Sequence, residues 1–199
     1  MIRAAAKRLA LWINRYANKE GLEFDKLKLG AEIFLISVSK YIIIYSLAVW
    51  LGVLPQTFAT HVAYGLIKRY SFGLHALNST VCTVVSCIMF VFIPLLLTDL
   101  RVNNYMVVIV FAVVIGILYR YAPADTEARP LIGSRLRKEL NRKAVTCGVV
   151  VGTAAFLIPS ESIRLLLMLG AVYQSISILP LTYKILRRSE RNYESYECA

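Results

Sequence analysis

Two residues of this 199-residue chain have the types and spacing for nucleophilic chemistry. They are His75, in Arg69-Tyr70-Ser71-Phe72-Gly73-Leu74-His75-Ala76, and Cys82. A cysteine attacks through its thiolate, and an imidazole within reach can take the proton. Seven helical residues turn about 700°, so the two would share a face, but they also rise about 10.5 Å, too far for a hydrogen bond. A working pair therefore requires a broken helix. The sequence predicts the break between Gly73 and Asn78, with Asn78 or Ser79 capping a new helix. Cys82 would then sit in its first turns, where the helix dipole favours a thiolate. Against this stands the ordinary reading: a lone cysteine in an apolar helix is usually a small buried hydrophobe, and an interfacial histidine a satisfied polar anchor.

Other reactive types are sparse. The second histidine is His61, and Cys87, Cys147 and Cys198 read as packing or tail residues. Neither C-x-x-C nor H-E-x-x-H occurs, so no metal or other cofactor is expected. A phosphate-binding G-x-x-x-x-G-K-[ST] loop and a G-x-S-x-G elbow are absent too. The cysteines lie in or near apolar stretches or on a reducing side, which does not suggest a disulfide framework.

The elements that must position these residues are apolar. Hydrophobic residues make up 58 % of the chain and charged ones 18 %, with a mean hydropathy of +0.60. Soluble domains run at roughly 45–50 % and about 25 %, so a soluble globule is excluded. Apolar stretches cover Gly30–Leu54 (interrupted by Glu32 and Lys40), Gln56–Ile67 (the weakest), Leu74–Leu97, Tyr105–Tyr119, Ala144–Ile158 and Leu165–Tyr183. The second, fourth and fifth fall short of the roughly 17–25 residues of a usual crossing and read as thin crossings or re-entrant pieces.

The net charge of +11 is distributed in alternate segments. Seven Lys/Arg lie in residues 1–29, two at Lys68 and Arg69, seven in 120–143 and four in the tail from Lys184, together twenty of the 23. The connections between these segments are nearly free of them. This positive-inside pattern predicts six membrane passes with both termini cytoplasmic. The basic residues are thereby explained by topology, and no recognition motif accompanies them, so nucleic acid is not an expected partner. The fold expected is all-α: one membrane domain over 1–199, comprising a cytoplasmic amphipathic segment 1–29, a six-span bundle 30–183 with a basic loop 120–143, and a tail 184–199. Leu9, Trp12, Ile13 and Tyr16 form one face of an N-terminal helix, which lies on the inner leaflet or packs on the protein itself. The basic residues Lys7, Arg8 and Arg15 argue against a cleavable signal peptide.

The His75–Cys82 stretch resembles the accessory gene regulator B (AgrB) family, membrane cysteine peptidases of Gram-positive quorum-sensing systems. The matching residues are Arg69, Gly73, His75, Ala76 and Cys82, then Ala122-Pro123-Ala124-Asp125 and Arg129-Pro130-Leu131 with a basic run. The family often carries two glycines before x-His, and here the first is Phe72. The resemblance implies that Cys82 is the nucleophile and His75 the general base of an endopeptidase at the cytoplasmic face of the cell membrane. It would remove the C-terminal part of an AgrD-like propeptide through a thioester. An internal Cys or Ser of the peptide would then close a thiolactone or lactone ring. The resemblance also suggests a homodimer.

Further residues have two readings each. Arg69 would bind the substrate's acidic segment or a lipid phosphate. Ser86, one turn past Cys82, would assist the site or bond its own i−4 carbonyl. Glu32 would orient His75 or sit at the interface. Lys40, about 12 Å deeper than Glu32 along a helix, would serve function or find a polar partner within a bundle or dimer. Asp125 and Arg129 would bind substrate or form a solvated loop pair. The alternative activity is a small peptide exporter whose path is lined by Lys40, Gln56, His61 and Gln174.

Overall fold

The computed structural model describes residues 2–74, 79–97, 100–127 and 130–197, and among these it is helical with no strand. Helix α1 (Ile2–Ala17) is the expected N-terminal helix. It turns at Asn18 and folds back on α2 (Gly21–Trp50). The seam buries Ala6 and Ala10 against Ala31, with Leu9 and Phe24 alongside, while Trp12 and Tyr16 stay exposed. The helix thus packs on the protein and still presents two aromatic residues outward.

Helix α2 starts nine residues before its apolar stretch, because Glu23, Asp25, Lys26 and Lys28 continue the helix as a polar extension under α1. It stops at Leu51 and Gly52, where a positive φ of 70° turns the chain. Pro55 then opens α3 (Leu54–Ser71), which converts the weak second stretch into an 18-residue helix. A proline costs nothing in the first turn, where its missing N–H has no partner to lose.

A new helix, α4 (Ser79–Cys87), runs through a π turn at Ile88–Phe92 into α5 (Ile93–Leu96). The π turn lies just before Pro94, whose ring would crowd the carbonyl of Phe90 in a regular helix. Next come α6 (Asn104–Tyr121) and α7 (Ser134–Leu157). The fifth apolar stretch and the basic segment from Ser134 to Lys143 form this one continuous helix. The chain closes with α8 (Glu161–Ile178), α9 (Pro180–Ile185) and the short α10 (Glu194–Glu197). Pro180 breaks what the hydropathy reads as a single last stretch.

Among the described residues, three helical segments are long and apolar enough to cross a membrane: Gly21–Trp50, Ser79–Leu96 and Asn104–Tyr121. Within the protein only 11 % of the apolar window of α2 and 22 % of the other two are buried, so their side chains need a non-aqueous surround. At 1.5 Å per residue, 18 residues span about 27 Å, close to the hydrocarbon thickness.

Two cores hold the bundle. One joins α3, α6, α7 and α8 through Ile67, Phe111, Leu118, Val151, Met168 and Ile178. The other joins α2, the π turn and α8 through Ile44, Ala48, Phe90, Val91 and Tyr173. Helices α3 and α8 approach most closely at Gly170. A Cβ there would collide with the Thr60 carbonyl oxygen and lie 2.9 Å from the Tyr64 nitrogen. By contrast Gly116 on α6 has open space around it.

Gly170→Ala is therefore expected to cost about 1–3 kcal/mol by forcing α3 from α8. Gly116→Ala should be neutral or stabilise by up to about 1 kcal/mol through helix propensity alone. Thermal unfolding of the two variants in detergent checks the contrast.

Candidate active site

The cysteine that the sequence singles out is placed as expected. Helix α3 ends at Ser71, α4 begins at Ser79, and Cys82 is the fourth residue of the new helix. His75, Ala76 and Asn78 lie outside the described residues, as do Arg129 and Cys198. Leu74, the residue before His75, is buried and lines the same cleft as Cys82. This cleft measures about 470 Å³. Its walls come from α3 (Tyr64), α4 and the π turn (Cys82, Val85, Ser86, Met89, Phe90), α8 (Tyr173, Ser177) and the tail (Arg188). It is mostly apolar, as a site for a peptide side chain requires.

Two lysines are tied to residues of the cleft. The Lys40 ammonium lies 3.0 Å from Cys82 Sγ, bridging α2 to the first turn of α4. Lys68 Nζ donates to Tyr64 Oη at 2.8 Å, and Tyr64 in turn lines the cleft. Lys40 carries a depth signal in the sequence, an intramembrane charge about two turns below Glu32. Its partner 42 residues away has no such signal.

Ser86 Oγ donates to the Cys82 carbonyl at 2.7 Å, the i−4 bond weighed from the sequence. Glu32 shares a shallow surface hollow with Lys7 and Lys28, beside the α1–α2 seam. Arg69 is exposed, its guanidinium 5.7 Å from the Tyr70 ring, and it does not line the Cys82 cleft.

The approach to His75 is held by a junction of three distant segments. Phe72 and Ala124 form a parallel bridge. Gly73 N–H donates to the Ala124 carbonyl at 2.9 Å, and Ala124 N–H donates to the Ser71 carbonyl at 2.9 Å. Leu74 N–H donates to the Ser177 carbonyl at 3.3 Å. Gln174, fully buried on α8, donates from Nε2 to both Ser71 Oγ and the Phe72 carbonyl at 2.7 Å. Its Oε1 accepts from Ser177 Oγ at 3.1 Å. Thus the two motifs around Gly73 and Ala124, some fifty residues apart, are one structural unit. Phe72 and Gly73 both have positive φ, 56° and 99°. A Cβ on Gly73 would lie 2.8 Å from Ser177 Oγ, so glycine is required there by conformation and by space. The role of Gln174 had no sequence signal beyond its being a polar residue in an apolar stretch.

Asp125 is buried and grips the tail: its carboxylate accepts from the backbone N–H of Asn192 at 3.1 Å and Tyr193 at 2.9 Å. The Tyr183 hydroxyl donates to the Asp125 carbonyl at 2.8 Å. Arg188 pairs with Glu127 at 3.4 Å. Arg137 lies over the Tyr193 ring at 3.8 Å and donates to both oxygens of Glu197, at 2.6 and 3.0 Å. These Arg137 bonds, with the Gly133 N–H, hold the Glu197 carboxyl below the usual carboxylate range. Asp125 is therefore not one half of a solvated loop pair.

The Accessory gene regulator B family model matches residues 6–178. An AgrB-like protein of Clostridium acetobutylicum is 42 % identical over 192 residues, covering 96 % of this chain and 92 % of that protein. One from Listeria monocytogenes is 45 % identical over 172 residues, 86 % of this chain and 84 % of its own. Accessory gene regulator protein B of Staphylococcus epidermidis is 30 % identical over 179 residues, 89 % and 90 % of the two chains. No solved structure matches the chain.

Two expectations follow from the geometry. Gly73→Ala and Gln174→Leu should each cost about 1–3 kcal/mol of stability. Because both loosen one junction, the double variant should lose clearly less than the sum, which a double-mutant cycle in detergent measures. Separately, Asp125→Ala removes both acceptors for the tail and should raise the rate of tryptic cleavage around Arg187–Arg191 several-fold. Glu197→Gln, which mimics the protonated carboxyl, should have a smaller effect in the same assay. Since the Glu197 carboxyl is held low, its part of the clasp is present above about pH 4 and is lost as pH falls through the lowered value.

Proposed function

The chain belongs to the accessory gene regulator B family, and from that membership we propose that it is a membrane-embedded cysteine endopeptidase that matures an AgrD-like propeptide. The observation that carries this reading is the position of Cys82. It lies in the first turn of α4, against the Lys40 ammonium, in an apolar cleft whose wall includes the residue preceding His75.

His75 is the base in this reading. It takes the proton of Cys82, and the thiolate attacks the scissile carbonyl. The tetrahedral intermediate collapses with cleavage of the C–N bond, and the departing amine takes the proton from the imidazolium. The N-terminal part of the propeptide stays on Cys82 as a thioester. An internal Cys or Ser of that peptide then attacks, closing a thiolactone or lactone and returning the Cys82 sulfur. Low water content in the cleft lets ring closure compete with hydrolysis. The charge distribution supports six passes, both termini and the site on the cytoplasmic side, in a single membrane domain. A propeptide resting on the inner leaflet would meet the cleft at that level. We include a homodimer in the proposal, since short spans are readily accommodated by association.

Of the polar residues that would line an exporter's path, Gln56 keeps its amide oxygen buried with no hydrogen-bond partner among the described residues, while the other three are engaged elsewhere. Lys40 is paired with Cys82, Gln174 with the Phe72 turn, and His61 with Tyr45 Oη at 3.2 Å while stacked on Phe90.

Co-expression with an AgrD-like propeptide, followed by mass spectrometry, tests the reading. Wild type should yield a shortened peptide and a trapped thioester at Cys82. Cys82→Ala and His75→Ala should each lower processing at least about a hundredfold. Equal processing by all three would make the pair a packing feature.

A further inference from the structure

We propose that Lys40 is a catalytic residue: its ammonium holds the Cys82 sulfur as a thiolate before attack and receives it again as the leaving group when the ring closes. This rests on the reading of Cys82 as the nucleophile.

The geometry is direct, with Lys40 Nζ 3.0 Å from Cys82 Sγ and the pair half-buried between α2 and α4. A lysine at membrane depth is costly unless it meets an anion or a polar partner. A second lysine, Lys68, is bonded to Tyr64, which lines the same cleft as Cys82. The Lys40 ammonium calls for a negative charge beside it. Among the described residues lining the cleft there is neither Asp nor Glu, and Cys82 is the group that can supply one.

The same arrangement serves both halves of the reaction. In the first, the Cys82 proton passes to His75, the ammonium keeps its own protons, and the C–S bond forms as the C–N bond breaks. In the second, the peptide's internal thiol or hydroxyl gives its proton to the base and its oxygen or sulfur to the acyl carbon. The C–S bond to Cys82 then breaks, and the electron pair returns to a sulfur already facing a positive charge. The charged form of Lys40 is also the safe one. A neutral amine beside the thioester would itself take the acyl group as a stable amide.

The test is the rate at which iodoacetamide alkylates Cys82 in membranes at pH 7.4 without propeptide, read by peptide mass spectrometry against Cys147. The reagent is uncharged, so removing a lysine does not change its attraction to the site. Cys147 lies on α7 and reports an intact fold. Alkylation by a thiol tracks its thiolate fraction. Lys40→Met and Lys40→Gln should lower the Cys82-to-Cys147 ratio about tenfold. Lys40→Arg, permanently charged, should keep it within about threefold. A ratio within twofold of wild type in both uncharged variants overturns the proposal, as does an Arg variant as slow as they are. Cys82→Ala is run in parallel for propeptide processing. If it still processes the peptide, the peptidase reading falls. If it is inactive while Lys40→Met alkylates like wild type, only the role of Lys40 falls.

Discussion

The hydrogen-bonded junction at Ser71–Leu74 is the constraint on which the rest of the protein depends. Inside a membrane protein, non-helical backbone survives only where its N–H and C=O groups find partners. Here the chain leaves α3 through two residues with positive φ, and partners from distant segments replace bonds that the helix would have made. Ala124 supplies the bridge, Ser177 an acceptor, and Gln174 two donations from a single amide. The helix can therefore stop at Ser71 and restart at Ser79, which brings Cys82 to the beginning of a helix instead of its middle. Asn141 performs the same service at the end of α6, donating to the carbonyls of Leu118, Tyr119 and Ala122 and so fixing the loop that carries Ala124.

What was legible in the sequence were features with a local cause. The seven-residue spacing of His75 and Cys82 cannot be bridged along one regular helix, so a working pair demands a break, and α3 ends at Ser71 with α4 beginning at Ser79. Ser86 bonds back to Cys82 because a serine one turn on has a carbonyl within reach. Hydropathy located the apolar part of each helix but not its ends. It reports contact with lipid, whereas α2 and α7 continue through charged residues that pack or face water. The pairs that complete the site were not legible. Lys40 with Cys82, Gln174 with Phe72, and Asp125 with the tail are separated by 42, 102 and 67 residues, and no periodicity encodes such partners. Each was visible only as a polar or charged residue standing where it would be expensive without one.

The bundle divides its labour by surface. Its long apolar helices keep most of their side chains outward, while the interior closes through small contacts such as Gly170 against Thr60 and Gly152 against Phe111. Helix–helix association in lipid draws little on the hydrophobic effect and depends on close approach of this kind. A cleft of modest volume bounded by α3, α4 and α8 fits that plan, because small residues let α3 and α8 meet tightly beside it while Tyr64 and Tyr173 supply its aromatic wall.

The tail has a practical meaning. Thr182, Leu186 and Arg188 form one side of the Cys82 cleft, and the residues just beyond them are clamped by Asp125 and Glu127. The tail is thus built into the cleft's wall through Thr182, Leu186 and Arg188. A fluorescent reporter or affinity tag joined there would pull on the wall itself. Loss of signal in such a fusion would then reflect a deformed pocket as readily as a chain that never reached the membrane.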